Sequence, residues 1–306
     1  MPQLTELLQQ VTVDEPHQAG GLQVFGLRWD GGRRLEYSTL DEALAARTLE
    51  ITEISEGGAV PTLKVINNAD RMAFLMAGEQ LVGAKQNRVL NASIMVAAGT
   101  NIPIPVSCVE SGRWGYRSRS FNSSGTSSHS LLRRMMSNQV RGSYRSMGVA
   151  HSDQRSVWNE VSRKLGSMGS HSDSSALHQA YADHENRLRT ILDELTPPMG
   201  ACGVLFAFGG QIAGCDLFDR PETLVKLWPK LVRAYAIDAL EGQAGSAAVT
   251  ADAVREWLRL SKQAKIETFR SAGVGDDVRL ESPALVGAGL VVEKEPVHVE
   301  MFAETS

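Results

Sequence analysis

Gly78-Glu79-Gln80-Leu81-Val82-Gly83-Ala84-Lys85-Gln86-Asn87-Arg88-Val89-Leu90-Asn91 lies between two apolar runs, Phe74-Leu75-Met76 and Ile94-Met95-Val96. The flanking runs read as short strands that send side chains into a core. Glu79, Gln80, Lys85, Gln86, Asn87, Arg88 and Asn91 therefore bring a dense set of hydrogen-bonding heads to a place where a sheet buries its side chains. An unpaired buried polar group costs about 1–3 kcal/mol. Either these heads satisfy one another or a ligand satisfies them. The stretch marks a strand-rich part of the chain and nominates a site within it, without naming a reaction.

Strands are expected around it near 49–54, 62–67, 72–77, 88–97 and 103–109, punctuated by Gly57-Gly58, Asn67-Asn68-Ala69-Asp70, Gly78, Gly83 and Gly99-Thr100-Asn101. Short strands at this spacing suggest a sandwich or barrel-like sheet. Upstream, Leu4, Leu7 and Leu8 share a helical face, and Leu22–Trp29 reads as a strand ending at a turn, Asp30-Gly31-Gly32. Thr39 and Glu42 form a capping box that opens a helix through about Ala46, since each side chain can satisfy an orphan backbone donor.

Residues 111–150 change character: Arg113, Arg117, Arg119, Arg133, Arg134, Arg141 and Arg145 carry the charge, serines abound, and Asp, Glu and Lys are absent. A mobile solvated linker and a basic flap over an anionic ligand both fit that composition. From Asp153 the period turns helical, with Val157, Trp158, Val161 and Leu165 on one face. A longer helix is expected over Leu177–Leu195, and a hairpin over Val204–Phe208 and Gln211–Leu217 around Gly209-Gly210. Pro221 opens a helix, and Pro229 is expected to break it and start a second carrying Leu231, Tyr235 and Leu240. Thr250 reads as an N-cap, and the tail over about 264–303 alternates as strands. Together these patterns predict an α+β chain. A β-rich, sandwich or barrel-like domain with the polar motif spans 1–112, a Ser/Arg-rich flexible segment 113–150, and a helix-rich α+β domain 151–306.

The 306 residues are 42% hydrophobic and 22% charged, the balance of a globular protein with ample core. A net charge of −4 gives no global pull toward nucleic acid or anionic membrane. No apolar run approaches the roughly 20 residues of a membrane span. The opening Met-Pro-Gln-Leu-Thr-Glu-Leu-Leu lacks the features of a signal peptide. Cys108, Cys202 and Cys215 show no CxxC spacing, which fits reduced thiols and a cytoplasmic location. The histidines show no paired ligand spacing, so no fixed metal site is expected. The cofactor is not identifiable from the sequence.

Glu79 and Glu110 are the candidate general acid/base carboxylates; the plain alternative is that each pairs with an arginine such as Arg88 or Arg113. Lys85 and Arg88 suit phosphate, and Gln86 and Asn87, which both donate and accept, suit a base edge or ribose hydroxyls. Trp114 is placed to stack on a base or to be a half-buried aromatic. Cys108-Val-Glu-Ser-Gly-Arg113 looks like a thiolate phosphatase loop but is one residue short, and a buried cysteine is a common core residue. His184 reads as a satisfied core histidine. Asp216 and Asp219 read as caps for the Pro221 helix or as a cation site.

Gly78–Asn91, Ile104-Pro-Val-Ser-Cys-Val-Glu-Ser-Gly-Arg-Trp114, Phe208-Gly-Gly-Gln-Ile-Ala-Gly-Cys-Asp-Leu-Phe218 and Trp228-Pro-Lys-Leu-Val-Arg-Ala-Tyr235 resemble a prokaryotic family named for association with ADP-ribosylglycohydrolase and rhodanese-phosphatase proteins. The resemblance covers most of the chain and is weakest over 115–150. It implies processing or sensing of ADP-ribose and related NAD-derived metabolites, and it brings no catalytic residues with it. On that reading Lys85, Arg88 and Arg113 would neutralise a diphosphate, and Gln86 and Asn87, with Gln80 beside them, would read ribose or base. Trp114 would stack, and Glu79 or Glu110 would activate a water or hydroxyl. The alternative is a non-enzymatic scaffold that uses the arginine-rich 111–150 segment as an interaction arm; nucleic acid fits less well. Apolar helices around Trp228 and Trp257 read as core or as the face of a homo-oligomer.

Overall fold

The computed structural model describes residues 2–29, 35–242 and 247–304, so the turn expected at Asp30-Gly31-Gly32 lies outside the described residues. Helix α1 (Pro2–Gln10) buries Leu4, Leu7 and Leu8. Strands β1 (Thr12–Val13), β2 (His17–Ala19), β3 (Leu22–Arg28) and β4 (Tyr37–Thr39) follow. Thr39 then caps α2 (Leu40–Ala45), and the Glu42 carboxylate accepts the Thr39 N–H at 2.9 Å, which completes the capping box.

Next come β5 (Leu49–Glu53), β6 (Thr62–Asn67), β7 (Met72–Leu75), β8 (Glu79–Gly83), β9 (Arg88–Leu90), β10 (Ile94–Val96) and β11 (Asn101–Cys108). The strand expected over 88–97 is two strands. Between them Asn91 donates to the Ala150 carbonyl and Ser93 accepts the Ala77 N–H, so side chains take over where the ladder stops.

The arginine-rich segment is built, where composition pointed to a linker: it forms β12 (Phe121–Ser127) and α3 (Ser130–Met147). Leu132, Met136, Val140 and Tyr144 recur every fourth residue and bury one helix face, and Gly148 ends the helix at a φ of 71°. Helix α4 (Gln154–Ser167) starts at Asp153, which accepts the Ser156 N–H. The single helix expected over Leu177–Leu195 is α5 (His178–Asp183) and α6 (Glu185–Glu194), parted at His184. His184 Nε2 donates to the Met168 carbonyl at 2.9 Å.

Strands β13 (Gly203–Phe208) and β14 (Gln211–Phe218) form the expected hairpin, with Gly209 and Gly210 at φ 58° and 76°. Helix α7 (Pro221–Glu241) runs unbroken through Pro229. The proline forfeits a backbone bond, but Leu224, Leu227, Trp228, Leu231, Val232 and Tyr235 on both sides of it are buried, so one apolar face holds both halves. Its N-cap is Arg220, without a side-chain cap bond; neither Asp216 nor Asp219 takes that role. Thr250 caps α8 (Ala251–Ser261), and β15 (Lys265–Arg270), β16 (Asp276–Ser282), β17 (Leu285–Val292) and β18 (Glu295–Ala303) complete the chain. No helix among the described residues is long and apolar enough to cross a membrane.

The chain divides into two compact units: Met1–Leu35 with Asn186–Arg270 and Gly275–Ser306, and Glu36–Glu185 with Ser271–Val274. This division differs from one at 112 and 150, because strand pairing joins the two ends of the chain. In the first unit β3 pairs with β13 from Leu27↔Gly203 to Leu22↔Phe208. The resulting antiparallel sheet runs β1-β3-β13-β14-β18-β17-β16-β15, with β2 also on β3. One face packs Leu205, Val299 and Met301 against Leu4, Leu8, Val254 and Trp257. The opposite face receives α7, where Phe206 stacks on Tyr235 at 4.1 Å. Trp228 and Trp257 are both core residues of this unit.

The second unit holds an antiparallel sheet, β12-β8-β9-β11-β6-β5, and a smaller one, β10-β7-β4, in which β4 and β7 are parallel. Leu40, Ile51, Leu63, Val65, Leu75, Leu81, Leu90, Val106 and Phe121 fill the space they enclose. The polar motif lies in this unit.

Candidate functional site

Glu79 and Gln80 begin β8, Lys85, Gln86 and Asn87 form the turn to β9, and Arg88 opens β9. All are buried, as is Glu110 just beyond β11. The site separates into a closed frame and a group of charges that the frame does not satisfy.

The frame centres on Glu110. Its Oε2 accepts the Asn87 N–H at 2.9 Å and Arg113 Nη2 at 2.7 Å; its Oε1 accepts Arg113 Nε at 3.0 Å and the Ser174 hydroxyl at 2.6 Å. Burial pushes this carboxyl up, but the bonds from Arg113, Ser174 and Asn87 outweigh it and hold it below the ordinary carboxylate range. Arg113 spends its other donors on the carbonyls of Ala84 (2.6 Å), Gly115 (2.8 Å) and Gly83 (3.3 Å) and on Asn87 Oδ1 (3.2 Å). Its fork is thus engaged by protein acceptors. Glu79 accepts the Met76 N–H at 2.7 Å. Asn91 accepts from Ser107 at 2.9 Å, and Ser107 lies 2.6 Å from the Ser152 hydroxyl.

Gln154, from α4, clamps the end of β11: its Oε1 accepts the Cys108 N–H and its Nε2 donates to the Cys108 carbonyl, both at 2.8 Å. The Cys108 thiol donates to Gln86 Oε1 at 3.0 Å. Burial pushes that thiol up to about 11; Arg88 lowers it in part, and Glu53 and Glu110 raise it further. A thiol held protonated does not serve as a phosphatase nucleophile.

The unsatisfied group is Arg88 with Glu53. Arg88 is fully buried and donates through Nη1 to Gln86, to the carbonyl at 3.1 Å and to Oε1 at 3.3 Å. Its Nη2 stands 3.6 Å from Glu53 Oε1, an ion pair beyond hydrogen-bond length. Arg88 Nε and Nη2 and both Glu53 oxygens are buried without a hydrogen-bond partner, as are both amide atoms of Gln80. Such groups are rare in native interiors, and here the Arg88 guanidinium also lies 5.8 Å from the Trp114 ring centre.

A roof covers this pair. Lys85 Nζ donates to the Gly57 carbonyl at 2.8 Å and lies 5.3 Å from the Trp114 ring centre and 5.0 Å from that of Tyr116. The Tyr116 hydroxyl donates to the Glu56 carbonyl at 3.3 Å. Gly58 has a φ of 73°, and a Cβ there would come within 3.3 Å of both Glu53 Oε2 and Trp114. Beside the roof lies a groove of about 1050 Å³, lined by Glu50, Glu53, Glu56, Lys64, Tyr116, Arg117 and Arg119 among others. Trp114 and Tyr116 are about half exposed.

The sequence singled out Lys85, Arg88 and Trp114 of this region and offered Arg117 and Arg119 as part of a basic flap, but missed Glu53, Tyr116 and the groove's Lys64. A signal for Glu53 existed. In Leu49-Glu50-Ile51-Thr52-Glu53 the inward positions are Leu49, Ile51 and Glu53, so a carboxylate ends an apolar row. Another buried set arises in the first unit: β14–β18 pairing brings Asp216, His298 and Glu300 together, with ligand atoms within 4.8 Å of one another. His298 Nε2 is 3.1 Å from Asp216 Oδ1, and the Tyr235 hydroxyl donates to Asp216 Oδ2 at 3.4 Å. Spacing along the chain hides this group, since two of its members come from the last strand.

No curated protein and no solved structure matches the chain. Residues 10–302, which take in both units and every element of the site just described, match the family described as ARG and Rhodanese-Phosphatase-superfamily-associated Protein domain, and the chain belongs to that family.

Proposed function

We propose that this protein binds a phosphorylated nucleoside of the ADP-ribose class in the groove beside Glu53 and Tyr116. The observation that carries this reading is the groove itself, about 1050 Å³ in volume, where Lys64, Arg117 and Arg119 line one cleft with Tyr116. Lys64, Arg117 and Arg119 line the groove and are the cations for a diphosphate, by point charge and bidentate fork. The half-exposed rings of Tyr116 and Trp114 offer stacking surfaces for a base, worth ~1–3 kcal/mol in nucleic-acid complexes. Glu110, Arg113 and Asn87 hold the turn that positions Lys85 and Arg88. The family name, with its link to ADP-ribosylglycohydrolase, agrees with a small-molecule ligand of this kind.

The test is calorimetry and thermal shift with ADP-ribose, ADP-ribose 1″-phosphate, NAD and AMP, each with and without magnesium. A ligand at ~100 times its Kd adds about 2.7 kcal/mol of stability. A selective shift that disappears in the double variant Arg117→Ala with Arg119→Ala supports the reading. A panel that leaves the protein unshifted refutes it.

A further inference from the structure

The buried set of the first unit is built by strand register. Asp216 and Phe218 on β14 stand opposite Glu300 and His298 on β18. Residues directly opposite in an antiparallel pair put their side chains on one face. The other face of these two strands is apolar, with Cys215, Leu217, Val299 and Met301 in the core. Asp216, His298 and Glu300 are thus gathered on the face that receives Tyr235 of α7, and all three are buried.

Two carboxylates directly opposite across a strand pair repel, and burial makes the charge dearer still. His298 supplies at most one positive charge, whereas a divalent ion supplies two where the three groups converge. The spacing suits such an ion. His298 Nε2 stands 3.1 Å from Asp216 Oδ1. Two donor atoms that are each about 2.1 Å from one ion, at angles between square and tetrahedral, lie roughly 3.0–3.4 Å apart. Glu300 completes a set whose donor atoms all lie within 4.8 Å of one another. The surroundings hold these donors in place. The Tyr235 hydroxyl donates to Asp216 Oδ2 at 3.4 Å, the kind of outer bond that orients a ligating carboxylate. The His298 ring stacks on Phe218 with centres 5.0 Å apart. Ala288, paired with Glu300 on its far side, adds only a methyl to that face.

We propose that Asp216, His298 and Glu300 bind one divalent transition-metal ion through two carboxylates and one imidazole. The imidazole favours Zn2+ or Fe2+ over Mg2+ and Ca2+, which prefer oxygen donors alone. The ion ties β14 to the last strand of the chain. The site is separate from the groove and does not depend on the nucleotide reading. The competing account is a hydrogen-bonded triad that takes up no ion.

The experiment strips the full chain with a chelator and titrates it with Zn2+ by calorimetry and with Co2+ by visible absorption. One equivalent of each binds, and the Tm rises with it. Asp216→Asn and His298→Asn each weaken uptake by about a hundredfold or more. Replacing the exposed pair His171 and Asp173 by alanine leaves it unchanged. X-ray absorption of the zinc-loaded wild type reads the ligands without any variant: nitrogen and oxygen donors at about 2.0–2.2 Å with a single imidazole. Absence of saturable uptake overturns the proposal. So does uptake that persists in folded Asp216→Asn, or zinc held by sulfur or by several imidazoles.

Discussion

Glu110→Gln removes one charge from the centre of the frame and leaves its shape in place. The wild-type carboxylate is fully buried against an Arg113 side chain that is 12% exposed, and it accepts four hydrogen bonds. Glutamine turns one oxygen into a donor that faces other donors: Arg113 and the Asn87 N–H on one side, Arg113 and Ser174 on the other. Breaking a buried ion pair costs about 3–5 kcal/mol. Arg113 keeps its bonds to Ala84, Gly115, Gly83 and Asn87, which places the expected loss near the lower end, about 3 kcal/mol. The loss should depend on pH. The folded carboxyl lies below its ordinary value of 4.5, so its stabilisation is full above that value and vanishes as pH falls through the folded one. Urea unfolding of both proteins at about pH 7 and at steps below 4.5, with hydrogen exchange of the peptides around Asn87 and Arg113, measures this. A difference under about 1 kcal/mol at neutral pH, or one that stays constant on acidification, would refute the frame as described.

Glu160 accepts from His129 at 2.7 Å and from Arg163 at 2.8 Å. Burial raises its carboxyl but these partners bring it down to about 2 from 4.5, so Glu160→Gln should cost up to about 3 kcal/mol at neutral pH, with the deficit closing between those two values; calorimetric unfolding against pH tests it. The Cys108 thiol, buried and pushed up to about 11, should resist alkylation in the folded protein and react readily in urea, as peptide mass spectrometry would show; rapid native labelling would contradict the described burial. Gly78→Ala places a Cβ 2.9 Å from Arg133 and Ser127 at a φ of 83°, and should lower stability by about 1–3 kcal/mol, read as a drop in Tm.

Much of the secondary structure was legible because local chemistry decided it. The Thr39–Glu42 box, the Gly209-Gly210 hairpin and the Thr250 cap are short-range arrangements that only a few residues need to satisfy. Local rules failed where packing outweighed them: at Pro229, where a continuous buried face keeps α7 whole, and over 111–150, where serine and arginine masked a helix with a four-residue apolar repeat. The polar string at Gly78–Asn91 showed that side chains had to find partners inside a sheet, and no more than that. Which ones found them was decided in three dimensions. Glu110 closes on Arg113 three residues away, while Arg88 is left with Glu53, a residue that comes to it from another strand of the same sheet. Sequence alone determined that a buried polar site exists and roughly where it lies, because composition against a hydrophobic period is visible along one chain. Only the tertiary structure decided which charges are spent and which remain open, because hydrogen bonds are satisfied between residues that strand pairing brings together.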